Sequence, residues 1–251
     1  AIQGANGSIP TDKAELDVRY SGTSARFLTA VAAAGRGVYH FDGAQRMRER
    51  PMGDLPAILS TSGTQFRYGG KPGHLPFEMK AAGLPFGYLK ITAEHSSQPV
   101  SALLLCAPAA EGNTTIHLEG PVPSEPFIDM SVQVMGDFGV KVNRPRTGVF
   151  EIDAAAHYSG REYNIEPDAT NASYFLAAAA ITGGKVCVRG LSSESSQGDI
   201  ACVKILERMG CNVREHTEGI TVTGPEQLHG VDVDLNEVSD LTPTFAAIAP
   251  F

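Results

Sequence analysis

The chain has 251 residues, is 42% hydrophobic and carries a formal net charge of -8, with a sequence pI near 5.4. That length and apolar content suit one large or two modest globular domains, and the acidic balance excludes the broad basic face of a non-specific nucleic-acid binder. The longest apolar runs, near residues 102–110 and 174–181, reach about half of what a bilayer-spanning helix needs. The seven histidines show no His-x-His or His-x-x-x-His spacing, so no metal site is expected. Cys106, Cys187, Cys202 and Cys211 sit in apolar settings without a Cys-x-x-Cys spacing. They read as buried free thiols of a reducing, cytoplasmic compartment.

Taken in order, the chain repeats itself. Ser21-Gly-Thr-Ser-Ala-Arg-Phe-Leu, Ser96-Ser-Gln-Pro-Val-Ser-Ala-Leu, Asp168-Ala-Thr-Asn-Ala-Ser-Tyr-Phe-Leu and Ser239-Asp-Leu-Thr-Pro-Thr-Phe resemble one another at spacings of roughly 70 to 75 residues. Each is a small or polar start followed by an Ala-rich helix, with Pro99 and Pro243 in a first turn where a missing N–H does no harm. Second helices lie between them, around residues 52–63, 128–139 and 198–210, each ending at a glycine (Gly63, Gly139, Gly210) suited to a left-handed C-cap.

Strands are predicted after the first helices at Val38-Tyr-His-Phe, Thr115-Ile-His-Leu and Lys185-Val-Cys-Val. After the second helices come alternating runs at Val140-Lys-Val-Asn, Val149-Phe-Glu-Ile, Cys211-Asn-Val-Arg and Gly219-Ile-Thr-Val-Thr. With a leading strand, the unit is βαβαββ. The chain starts inside one copy and stops in the helix of another, so it is expected to be truncated relative to its own repeat. The polar stretch 154–167, broken at Ser159-Gly160, marks the expected domain boundary.

Two features point to an anionic ligand. Arg46, Arg48 and Arg50 crowd into five residues of an acidic chain, with Glu49 as a local counter-ion; as a charge run alone they would simply face water. The starts at Gly22-Thr23, Ser96-Ser97-Gln98, Asp168 and Asp240 would place free N–H groups and hydroxyls at equivalent helix N-termini. Serine, threonine and aspartate are also the ordinary N-caps, which accounts for each one taken singly. No nucleotide-binding glycine loop is present.

The runs Arg46-Met-Arg-Glu-Arg-Pro-Met-Gly-Asp, Ser96-Ser-Gln-Pro-Val-Ser-Ala-Leu-Leu, Asp168-Ala-Thr-Asn-Ala-Ser-Tyr-Phe-Leu-Ala, Gln197-Gly-Asp and Val231-Asp-Val-Asp-Leu-Asn-Glu-Val-Ser-Asp resemble the 5-enolpyruvylshikimate-3-phosphate synthase family over essentially the whole chain. The resemblance implies an α/β fold of repeated βαβαββ units forming two domains, an inside-out α/β barrel, here truncated. Residues 1–162 would be a partial shikimate-3-phosphate-binding domain of about two repeats out of three. Residues 163–251 would hold one repeat of the second domain and the start of another.

It also implies transfer of the enolpyruvyl group of phosphoenolpyruvate to the 5-hydroxyl of shikimate 3-phosphate, without a cofactor, by an enzyme monomeric at full length. Carried over, Gly22, Thr23, Arg50 and Gln98 would contact phosphoenolpyruvate, and Ser96, Ser97, Gln98, Ser124 and Asp240 would contact shikimate 3-phosphate. Asp240 would be catalytic, helping to move the 5-hydroxyl proton. Arg46 and Arg48 would brace the loop.

Tyr20 departs from the family's asparagine, which by the resemblance would reshape the phosphoenolpyruvate side where glyphosate binds, and Phe127 departs from its tyrosine, removing a hydroxyl that would reach the shikimate ring. The family's terminal lysine, arginine and glutamate motifs fall outside residues 1–251, so the chain alone is expected to be inactive. Two other readings stand beside this one: an incompetent polypeptide that binds phosphorylated ligand weakly, and a UDP-N-acetylglucosamine enolpyruvyl transferase relative.

Overall fold

The structure, a computed structural model, describes residues 1–5, 7–94, 96–121 and 124–251. His95 therefore lies outside the described residues. The chain forms two compact units, one of residues 1–123 with 131–161 and one of 124–130 with 162–251.

The first unit opens with a complete βαβαββ repeat. Strand β1 (Lys13–Asp17) leads into α1 (Gly22–Ala33) and β2 (Val38–Asp42), the short turn α2 (Gln45–Arg48) and α3 (Leu55–Ser60) follow, and β3 (Gln65–Tyr68) and β4 (Phe77–Lys80) close it. The sheet order is β1-β2-β4-β3. β1 and β2 run parallel, Lys13 opposite Val38, which requires the helical crossover between them. A second repeat, β5 (Gly87–Thr92), α4 (Gln98–Cys106), β6 (Thr114–Glu119), α5 (Pro126–Asp137) and β7 (Val149–Ile152), builds the sheet β5-β6-β7, again with a parallel first pair.

Alternation drives these sheets. β4 reads buried, exposed, buried, exposed over Phe77–Lys80, so Phe77 and Met79 face inward, and Phe77 stacks on Phe41 with ring centroids 5.2 Å apart. α1 and α4 pack against each other. Ala25, Ala30 and Ala33 of α1 and Val100 and Leu104 of α4 are all fully buried.

The second unit contains α6 (Ala169–Thr182), β8 (Lys185–Arg189), α7 (Ala201–Arg208), β9 (Asn212–His216), β10 (Gly219–Thr223) and α8 (Thr242–Ile248). Its antiparallel sheet has the order β8-β10-β9. Leu176 of α6, Leu206 of α7, Val222 of β10 and Leu241 share one core.

Helix ends follow the sequence rules. Ser21 caps α1 by accepting from the Ser24 N–H, and Asp168 caps α6 through the Asn171 N–H. Gly63, Gly139 and Gly210 take φ of 94°, 91° and 101°, a region costly for any residue with a Cβ.

Three expectations need correction. The inside-out barrel is overturned: the sheets are open, of four, three and three strands. Each keeps two edge strands, because no strand of one sheet bonds to a strand of another among the described residues, and so few strands cannot complete a ring. The strand predicted at 140–143 reduces to a single bridge between Asn143 and Glu151, since Pro145, two residues on, has no N–H for the next rung of an antiparallel ladder. Cys187 is exposed rather than buried, because β8 has an outward face and Cys187 stands on it. Among the described residues no helix is long and apolar enough to cross a membrane.

Candidate active site

The start of α1, the loop after α2 and the start of α4 converge in the first unit. The arginine that organises them is Arg26, which the sequence reading passed over. It sits one turn into α1 and is 4% exposed. One Nη1 donates to the Gln98 side-chain oxygen at 2.9 Å and to the Gly22 carbonyl at 3.2 Å, and Nη2 donates to the Pro51 carbonyl at 2.5 Å. Nε has no partner. A single buried fork thus ties together all three segments that sequence analysis selected. The signal that would have found it is a charged residue on the buried stripe of an otherwise Ala-rich helix, where charge is rarely tolerated unless partnered.

Arg50 stands beside it. A Cβ placed on Gly22 would lie 2.9 Å from Nη1 of Arg26 and 2.9 Å from Nη1 of Arg50, so both guanidiniums close on the same glycine. Burial, and after it the charge of Arg50, pulls Arg26 down to about 10. Neither arginine makes an ion pair among the described residues. Two like charges pressed together without an ion pair form an arrangement that an anion would complete.

Arg46 and Arg48, by contrast, are satisfied. Arg46 pairs with Glu49 at 2.8 Å, and Arg48 holds Asp42 through two bonds of 2.8 and 2.6 Å. The three-arginine run therefore divides into two braces and one cation left over.

Gln98 connects the parts. Its amide nitrogen donates to the Thr23 hydroxyl at 3.1 Å while its oxygen is held by Arg26, and its backbone N–H donates to the Ser96 hydroxyl at 3.2 Å. The N–H groups of Gly22 and Thr23 lie in the first turn of α1, where no intrahelical acceptor exists. Ser97 is buried at the start of α4 and makes no side-chain capping bond there. A cleft of about 310 Å³ opens here, its lining including Arg26, Arg50, Asp54, Thr92, Glu94 and Ser96. The Asp54 carboxylate in its wall is engaged by the Thr92 N–H at 3.0 Å and hydroxyl at 2.6 Å.

The triplet Ser-Ser-Gln recurs at 195–197, with the same Gln N–H to Ser hydroxyl bond at 3.2 Å. There the Ser195 hydroxyl and the Gln197 amide both donate to Glu166, and the Gln197 oxygen accepts from Ala169 N–H at 2.8 Å. The second triplet is hydrogen-bonded to its own carboxylate. Among the described residues the first is bonded to none, although Asp54 and Glu94 line the same cleft.

The second unit holds the other two predicted residues. Ser124 adopts φ of 57° and its hydroxyl lies 2.9 Å from that of Ser239, next to Asp240. Asp240 does not cap α8. It belongs to a separate turn, 239–241, and Leu241 occupies the cap position, because α8, with Pro243 in its first turn, starts one residue later than a cap at Asp240 would need. The capping account of Asp240 therefore fails, and its exposed carboxylate is left without that structural task. Among the described residues no cluster of histidine, cysteine, aspartate and glutamate fits a metal.

Fold and site together define an α/β repeat protein with a buried arginine–glutamine corner. Residues 1–251 match the family model for EPSP synthase (3-phosphoshikimate 1-carboxyvinyltransferase), and the chain belongs to that family. It is 47% identical over 250 residues to the 3-phosphoshikimate 1-carboxyvinyltransferase of Trichormus variabilis, covering all of this chain and 59% of that protein. With the one from Syntrophobacter fumaroxidans it shares 41% over 231 residues, 92% of this chain and 55% of that one. The chain thus spans somewhat over half the length of these curated relatives. A solved EPSP synthase from Acinetobacter baumannii superposes with a TM-score of 0.71 at 23% identity, over 94% of this chain and 53% of that one; this likeness concerns the fold.

Proposed function

We propose that the complete protein to which this chain belongs transfers the enolpyruvyl group of phosphoenolpyruvate to the 5-hydroxyl of shikimate 3-phosphate, releasing inorganic phosphate, in the cytoplasm. The family match supports the reaction, and the observation that carries the site is the Arg26–Arg50 pair closing on Gly22 without an ion pair among the described residues. Residues 1–162 act as part of the shikimate-3-phosphate-binding domain and 163–251 as part of the second.

In this reading Arg50, Gln98 and the backbone at Gly22 and Thr23 hold phosphoenolpyruvate. A guanidinium fork matches a carboxylate or phosphate in geometry as well as charge. Ser96, Ser97 and Ser124 supply hydroxyls for the phosphate of shikimate 3-phosphate, and Gln98 reaches its ring. Asp240 binds the ring hydroxyls and takes the proton of the 5-hydroxyl as its oxygen bonds to the enolpyruvyl carbon. The carbon–oxygen bond to phosphate breaks, and phosphate leaves with the electron pair.

The test is Arg50→Gln in a protein completed to the relatives' length. kcat/KM for phosphoenolpyruvate should fall at least about a hundredfold, ~2.7 kcal/mol; an unchanged value removes Arg50 from the site. Asp240→Asn should lower kcat with little change in KM, and unaltered turnover would reject its role.

A further inference from the structure

Asp54 stands at the start of α3 and does not act as its cap. Aspartate is preferred there because its side chain can accept from the open N–H groups of the first turn, yet Asp54 occupies the cap position without a side-chain capping bond. Its Oδ2 instead accepts from the Thr92 N–H at 3.0 Å and the Thr92 hydroxyl at 2.6 Å. Thr92 lies 38 residues further on, at the end of β5 in the second repeat. The Asp54 carboxylate also lines the cleft that holds Arg26 and Arg50, where its charge opposes an entering anion. Capping and charge complementarity, two ordinary uses of an aspartate, are both set aside for one contact between repeats.

We propose that Asp54 is a positioning residue for Arg50, a role that rests on the assignment of this cleft to phosphoenolpyruvate. The Arg50 guanidinium donates to the Met47 sulfur at 3.7 Å, and a thioether is a weak acceptor. Where its charge sits therefore depends on the backbone of the loop 50–54. Within the first repeat that loop is held by the Pro51 carbonyl, which accepts from Arg26 at 2.5 Å, and by the Met52 N–H, which donates to the Gly73 carbonyl at 2.9 Å. Its far end is held by the second repeat. Gly53 passes so close to Pro99 of α4 that a Cβ would lie 3.3 Å from the proline ring, and Asp54 clamps Thr92 at the next position. The clamp needs an acceptor and no charge, since one oxygen takes both bonds. It fixes the loop carrying Arg50 against the strand that leads into Ser96 and Gln98, so a ligand spanning the cleft meets both sides already in place.

In the protein completed to the relatives' length, Asp54→Ala should raise KM for phosphoenolpyruvate about tenfold and change kcat by less than about threefold. A merely structural loss would lower the amount of folded enzyme, and with it the apparent kcat, at unchanged KM. Asp54→Asn keeps the accepting oxygen and should hold KM within about twofold of the unsubstituted value or below it. If Asp54→Ala does not fold, Thr92→Val removes the hydroxyl donor at an exposed strand position; KM should then rise about threefold, with Thr92→Ser restoring it. An unchanged or lowered KM in Asp54→Ala, or in Thr92→Val where that variant is needed, overturns the proposal. So does an equal rise in Asp54→Ala and Asp54→Asn, which would put the carboxylate itself on the ligand. Arg50→Gln, measured alongside, separates two kinds of failure. If it raises KM for phosphoenolpyruvate and Asp54→Ala does not, the positioning role alone falls; if neither does, the assignment of the cleft falls with it.

Discussion

Arg26 and Gln98 are 72 residues apart in sequence and 2.9 Å apart in the structure, guanidinium nitrogen to amide oxygen. That bond fixes which end of the amide faces Thr23 and which faces the arginines. Arg26→Lys keeps the charge and loses the fork, so the Pro51 and Gln98 bonds cannot both be made. In the completed protein KM for phosphoenolpyruvate should rise about tenfold, ~1.4 kcal/mol, with a smaller change in kcat. Steady-state kinetics separates the two.

Gln98→Glu should act in opposite directions on stability and binding. The new carboxylate faces Arg26 and satisfies the unpaired cationic pair, raising the melting temperature of the chain. It also fills the place of an outside anion, so affinity for inorganic phosphate or phosphoenolpyruvate measured by calorimetry should fall. A variant that binds as tightly as the unsubstituted chain would show that the pair does not define the site.

Gly22→Ala places a methyl group 2.9 Å from one nitrogen of each arginine. The contacts are flexible side-chain ends, so the helix should fold, with little change in melting temperature and alanine favoured over glycine within a helix. The guanidiniums must move apart, and phosphoenolpyruvate affinity should drop roughly tenfold, ~1.4 kcal/mol, as read by isothermal titration.

The thiols should divide by burial. Cys106 and Cys202, buried, are both pushed up to about 12, and Cys211 is raised by burial as well; since the thiolate is the reactive species, none should react in the folded chain. Cys187 is exposed. A chromogenic disulfide reagent should titrate one thiol in the native chain and four after denaturation.

The Arg48 bond to Asp42 makes stability depend on pH. Arg48 holds the Asp42 carboxyl below its ordinary value. The contribution is complete above the unfolded pKa and is lost as pH falls through the folded one. Asp42→Asn should therefore lower the melting temperature slightly at about pH 7 and not at all at about pH 3.

The helices, the glycine C-caps and most strands were legible in the sequence, because Ala-rich helices between alternating runs leave a periodic trace that survives without tertiary information. Arg50 was legible too, as the third cation of a run with too few acids beside it. Arg26 was hidden because its significance lies in three partners from three distant segments, which no local pattern records. Asp240 resembled a cap at its distance from Pro243, and only the backbone reveals a separate turn. The expected barrel failed for a related reason: ring closure depends on which edges bond, and hydrophobic alternation fixes which side of a strand is buried without fixing its neighbours.

The parallel pairs have a consequence for how the protein is made. β1 meets β2 over residues 13–17 and 38–42, and β5 meets β6 over 87–92 and 114–119, each across one intervening helix. Contacts so close in sequence cost little loop entropy and form early. A growing chain can finish each crossover while the ribosome is still adding the next, whereas β4, which must slot between β2 and β3, and β10, between β8 and β9, have to wait for the last stretch of their own repeats.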